Sequence, residues 1–161
     1  MISVIEAKNI IKEKVQTLPA RIFKIEQAVL LTLGQDIWAP ANVPAFAQSA
    51  MDGYAFKFED FASQKTLLTD GEMAAGDDKK IVLKPGQAVR IFTGAALPEN
   101  ADTVVMQEKI NLKSKELIIN DEMLKCGSNI RLKGSEIKAG EIAIKKGALL
   151  TAAAIGFLAS I

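Results

Sequence analysis

From about residue 52 to residue 135 the chain loses helical periodicity, and short β-type runs alternate with glycine-bearing turns. Lys80–Leu83, Gln87–Phe92, Asp102–Ile110 and Glu116–Asn120 are rich in β-branched and apolar residues. Runs of this length, separated by turn residues, have the pattern of strands rather than helices. "KPGQ" at 84–87 and "KAGE" at 138–141 have the form of turns that feed strands. This pattern restricts the middle of the chain to a compact all-β unit, a small barrel or sandwich.

The flanks differ. Ser3 and Glu6 have the spacing of a capping box, and Val4, Ala7, Ile11 and Val15 follow helical periodicity. They predict an amphipathic helix from residue 4 to about 17, ended by Leu18-Pro19. A short helix near Glu26–Leu31 is expected next, then an extended segment toward Trp38. Pro40 and Pro44 bracket "APANVP", and residues before proline avoid the helical region, so this is an extended connector and a domain crossing. After the β-type region, "GEIAIKKGALL" reads as a hairpin, and Thr151 is placed to cap a helix running through Phe157. That apolar helix needs a surface to bury against, which points to a piece of a longer polypeptide.

Composition excludes several classes of function. With 161 residues, 49% hydrophobic and 24% charged, the chain has ordinary globular composition. Its net charge of +1 makes no electrostatic case for nucleic acid or an anionic membrane surface. Residues 147–161 are apolar but fall short of the roughly 20 residues a membrane span needs. Cys126 is the single cysteine; it excludes an internal disulfide, is expected to be a buried or incidental thiol, and suits a cytoplasmic setting. There is no histidine. Chemistry must therefore rest on carboxylates, hydroxyls, backbone amides, arginine and lysine, a set suited to hard cations and oxyanions.

Three stretches carry candidates. In "PAFAQSAMDGYAF", residues 44–56, Asp52-Gly53 reads either as a turn between strands or as a carboxylate held where Gly53 lets a ligand approach. Ser49, Ala50 and Gly53 are small and leave room around it, while Met51 and Tyr54 can pack beneath. In "RIFTGAALPENADTVVMQE", residues 90–108, the loop from Thr93 and Gly94 to Ala96 either joins two strands or presents successive N–H groups and the Thr93 hydroxyl to an anion. It lacks a P-loop lysine. Glu108 reads as a solvated charge or as a second carboxylate near the first. In "GSNIRLKGSEIKAGE", residues 127–141, Arg131 and Lys133 would share one strand face, either as a charged strand edge or as a site for an anion; Gly134 and Glu136 complete the set.

These stretches resemble the signatures of the molybdopterin molybdenumtransferase family, which includes the gephyrin E domain. The first resembles S-A-M-D-G-Y-A. The second resembles T-G-A-x-x-P followed by a-D-x-V-V-x-x-E, and the third G-x-N-I-R-x-x-G-x-D/E-I-x-x-G. The opening helix and the connector are similar too, so the resemblance covers nearly all 161 residues in order. Two positions depart from it: Asn42 replaces the usual connector aspartate, and Leu30-Leu31 stands where the family often has Gly-Arg.

The resemblance implies an α+β, mostly β fold: a helix-and-strand domain from residues 1–45 and 136–161, with a barrel-like β-rich domain, 46–135, inserted in it. It implies that an α/β domain and a C-terminal β-domain lie outside this sequence. The implied reaction inserts molybdate into adenylylated molybdopterin, with Mg2+ or another divalent cation, and releases AMP. Asp52 and Thr93 would be catalytic. Ser49, Met51, Gly53, Gly94, Arg131 and Lys133 would bind substrate, and Asp52, Glu108 and Glu136 would hold the cation. The family's homodimers share a cleft between subunits, with no nucleic-acid or membrane partner. A non-catalytic scaffold of the gephyrin type is the alternative.

Overall fold

The computed structural model describes residues 2–161. The chain divides into two compact units, Met1–Ile37 with Ile144–Ser160, and Trp38–Ala143 with Ile161.

In the first unit the capping box forms as the sequence predicts. Glu6 N–H donates to Ser3 Oγ at 3.2 Å and Ser3 N–H donates to Glu6 Oε2 at 2.7 Å. They open helix α1, Val4–Lys14. It stops short of residue 17 because Val15 is already extended. Its apolar stripe is uncovered: Val4, Ile11 and Val15 are all exposed. The helix expected at Glu26–Leu31 is a single 3-10 turn, Ile25–Gln27, and Leu30 cannot continue it because its φ is 64°. Leu30 N–H instead donates to Leu150 O, and Leu150 N–H donates to Leu31 O.

Strands β1 (Ile37–Trp38) and β2 (Gln48–Ser49) lead into β3 (Gly53–Phe56). Helix α2 (Phe58–Gln64) follows, inside a region the sequence reads as all β. Next come β4 (Thr66–Met73), β5 (Gln87–Ile91), β6 (Thr103–Met106), β7 (Ile110–Lys113) and β8 (Glu116–Ile119). The chain closes with β9 (Ile130–Arg131), β10 (Ile142–Ile144) and helix α3 (Ala152–Ala159). Thr151 caps α3 as expected, accepting from Ala154 N–H, yet no residue of α3 is fully buried.

Six strands form one curled sheet in the order β6-β3-β5-β4-β8-β7, and two-stranded ladders join β1 to β10 and β2 to β9. β10 and Leu149 do not pair as a hairpin, since β10 meets β1 and Leu149 bridges Thr32. The turns at 84–87 and 138–141 form as read, each closed by an N–H of the last residue donating to the carbonyl of the first. Lys80–Leu83 does not become a ladder strand; it makes one bridge, Val82 to Glu99. β4, which the sequence did not signal, lies parallel to β5.

The central strands are buried on both faces. Ala55, Val89, Ile91 and Val104 pack on one side with Met73 and Leu83. Tyr54, Phe56, Ala88 and Val105 pack on the other with Leu67 and Leu117, and Phe58 and Phe61 from α2 cover them. Phe61 meets Phe56 edge-on at 5.9 Å. Full burial of a Phe or Leu side chain contributes about 1.5–3 kcal/mol, so this two-sided core is the main source of the unit's stability.

Candidate functional site

The three motifs converge in the second unit. Ser49 N–H donates to Ala95 O, Gly94 N–H to Ser49 O, and Leu97 N–H to Ala47 O, joining the first stretch to the second. Asn129 ties the third stretch to both. Its carbonyl accepts from Ala50 N–H at 2.9 Å, and its side-chain amide donates to Val104 O at 2.8 Å. Asn129 adopts a φ of 57°, a left-handed conformation that asparagine tolerates better than most side chains.

Asp52 lies immediately before β3, flanked on one side by the end of β5 and on the other by the residue after β6. Its main-chain oxygen accepts from Gln107 N–H at 3.1 Å. Its carboxylate Oδ1 accepts twice from Thr93, from the backbone N–H at 2.8 Å and from the hydroxyl at 2.7 Å. Oδ2 has no hydrogen-bond partner among the described residues. Both residues are exposed. The Thr93 amide, then its hydroxyl, hold the carboxyl below its ordinary value; burial opposes them, and the charge of Arg90 makes the least contribution in the lowering direction. Asp52 is therefore an ionised, oriented acceptor with one oxygen free.

Arg90 carries no signal in the sequence. It is opposite Tyr54 across the β3–β5 ladder. Its guanidinium lies 5.2 Å from the Tyr54 ring centre and 5.1 Å from that of Phe92, and donates to Gln107 Oε1. The Gln107 side-chain amide donates in turn to Glu108 Oε1 at 3.2 Å.

Other expected residues have different surroundings. The Ser49 side chain is buried, and its hydroxyl is engaged by the backbone of Met51, donating to the carbonyl at 2.6 Å and accepting from the N–H at 3.3 Å. Met51 itself is exposed. Gly53 does not leave room for a ligand: a Cβ there would lie 1.8 Å from Val105 O, so the neighbouring strand fills that space. The loop at 93–95 is not an anion nest, because Thr93 N–H goes to Asp52, Gly94 N–H to Ser49 O and Ala95 N–H to Phe92 O.

Arg131 ends β9, so Lys133, which lies in the turn beyond, does not share a strand face with it. Arg131 instead faces Glu136 at 3.9 Å, both about half-exposed. Asp52, Glu108 and Glu136 do not assemble into a cage: among the described residues no group of three or more Asp, Glu, His or Cys is arranged to hold a metal ion. Cys126 is exposed rather than buried. Asn42, in place of the connector aspartate, accepts from Ala139 N–H through Oδ1 at 3.1 Å, a bond an aspartate oxygen could equally accept. Among the described residues no helix is long and apolar enough to cross a membrane. Two concavities, of about 190 and 230 Å³, are lined by residues such as Lys57 and Asn100 or Lys80 and Pro98, and neither includes Asp52 or Thr93.

Fold and site together define a β-rich module that presents a carboxylate–threonine pair on an open surface. The model of the MoeA N-terminal region (domain I and II) matches residues 2–161. The chain belongs to this family. It is 38% identical over 137 residues to the molybdopterin molybdenumtransferase of Haemophilus influenzae, a match covering 85% of this chain and 34% of that protein. It is 34% identical to the Staphylococcus epidermidis molybdopterin molybdenumtransferase, covering 99% of this chain and 39% of the relative. The crystal structure of a molybdopterin biosynthesis MoeA protein from Pyrococcus horikoshii superimposes with a TM-score of 0.80 at 29% identity, covering 99% of this chain and 42% of that one. The chain thus spans between a third and somewhat over two-fifths of the length of these relatives.

Proposed function

We propose that this chain is the N-terminal part of a molybdopterin molybdenumtransferase, which inserts molybdate into adenylylated molybdopterin and releases AMP during molybdenum cofactor biosynthesis. The observation that carries the reading is the Asp52–Thr93 pair. Two donors fix one carboxylate oxygen, and the other is left to accept a proton or hydrogen bond from a water or a protonated molybdate oxygen. Three motifs, far apart in sequence, are hydrogen-bonded together around it. The names of its relatives supply the substrate class.

The proposal extends to a discontinuous helix-and-strand domain, residues 1–45 with 136–161, and its β-rich insert, residues 46–135, to a cytoplasmic homodimer with a shared cleft, and to substrate contacts from Met51, Arg131 and Lys133. Mg2+ fits less well. Without a three-acid cluster, a cation would take most of its ligands from substrate oxygens and water, so no step here depends on it.

The test uses the intact protein with adenylylated molybdopterin and molybdate, following AMP release and molybdenum incorporation together. Asp52→Asn keeps an oxygen for both Thr93 donors but removes the charge. Turnover is expected to fall about a hundredfold or more, the usual loss when an acid–base group is removed, with an unchanged melting curve. Equal turnover in the variant would sink the assigned role.

A further inference from the structure

Arg90 touches all three chain segments that position Asp52 and Thr93. Tyr54, two residues after Asp52, and Phe92, the residue before Thr93, both offer ring faces to its guanidinium. Gln107, whose backbone N–H donates to the Asp52 carbonyl, receives the guanidinium's hydrogen bond on its side-chain oxygen. Tyr54 lies in β3, while Phe92 and Gln107 are the residues directly after β5 and β6, its two neighbours in the sheet order β6-β3-β5, where adjacent strands lie about 4.8 Å apart. The ladder ends here: Gly53 is opposite Met106 and Ile91, and Asp52 lies one residue beyond that pairing. Strand ends fray unless side chains hold them.

We infer that Arg90 is a positioning residue: a planar cation that binds three strand ends together, and thereby fixes the distance between the Asp52 carboxylate and the Thr93 hydroxyl. The shape of the group matters as well as its charge. A guanidinium stacks on aromatic faces and donates along its edge at the same time, whereas an ammonium is a point charge that does not combine both contacts. Arg90→Lys therefore keeps the charge and loses the arrangement. Gln107 is the second half of the device, and its side-chain amide also orients Glu108.

The effect on turnover rests on the proposed function; the effect on local structure does not. The experiment compares wild type, Arg90→Lys, Arg90→Met and Gln107→Ala in the intact protein. It measures hydrogen exchange in peptides covering 91–96 and 66–73, and the molybdate-insertion kcat and KM. Arg90→Lys and Arg90→Met are expected to speed exchange at Thr93 about tenfold while leaving β4 unchanged, and to lower kcat about tenfold at constant KM. Gln107→Ala, which removes one arm and leaves the stacking, is expected to move both in the same direction by less. It also keeps the test open should Arg90→Met fail to fold. Unchanged exchange at Thr93 in Arg90→Lys and Gln107→Ala would overturn the inference, as would full recovery of kcat by lysine. Accelerated exchange in a protein whose wild type shows no turnover would support the positioning role and remove the functional reading.

Discussion

Both donors of Thr93 meet one oxygen of Asp52, at 2.8 Å from the amide and 2.7 Å from the hydroxyl, across 41 residues of sequence. The relation fixes the charge state of the pair. Asp52 is depressed below the ordinary aspartate value of 3.8. A carboxyl whose folded-state pKa is depressed contributes stability above its unfolded value and loses it as pH falls through the folded one. Thr93→Val removes the hydroxyl and keeps the amide. The Asp52 carboxyl should then titrate at higher pH than in wild type, yet still below the ordinary value. Carboxyl carbon NMR across an acid titration reads this directly, and an unmoved titration would mean that the hydroxyl bond is absent in solution.

Gly53 tests the packing of β3 against β6. With Val105 O only 1.8 Å from where a Cβ would stand, Gly53→Ala forces the two strands apart. A loss of about 3 kcal/mol or more is expected in denaturant unfolding, the upper end of overpacking in a well-ordered core. A variant as stable as wild type would show that β3 and β6 separate easily.

Leu30 holds a φ of 64° and is 70% exposed. The left-handed conformation costs a non-glycine residue about 1–2 kcal/mol, and little packing is present to offset it. Leu30→Gly should stabilise the protein by about 0.5–1 kcal/mol once the greater backbone freedom of unfolded glycine is subtracted. Thermal unfolding measures it, and destabilisation would mean that the leucine side chain contributes more than its exposure indicates.

Arg131 and Glu136, 3.9 Å apart and half-exposed, form a loose ion pair of the kind that contributes at most about 1 kcal/mol. A divalent oxyanion can therefore displace the glutamate. Millimolar molybdate or sulfate should raise the melting temperature of wild type and raise that of Glu136→Gln further, while Arg131→Met should lose the shift. Equal shifts in all three would place anion binding elsewhere.

The sequence by itself determined the elements whose signals are local. The Ser3–Glu6 capping box, the Thr151 cap and the turns at 84–87 and 138–141 depend on residues three apart, so spacing alone revealed them. Asp52 and Thr93 stood out as candidates because small residues surround them in a resembling motif.

Tertiary structure decided the rest. Strands buried on both faces show no alternation, and β4, whose residues alternate only in part, gave no signal until β5 and β8 paired with it. The small size of Gly53 looked like space for a ligand; it accommodates the carbonyl of a strand more than 50 residues away. The amides at 93–95 looked free for an anion until their partners in the first motif and in the loop itself took them up. Arg90 carried no signal at all, since a lone arginine in a strand acquires its role only from the Tyr54, Phe92 and Gln107 that the sheet places around it. Hydrogen bonds and close contacts between distant segments are properties of register, and register is fixed by burial of the whole sheet rather than by any one stretch of chain.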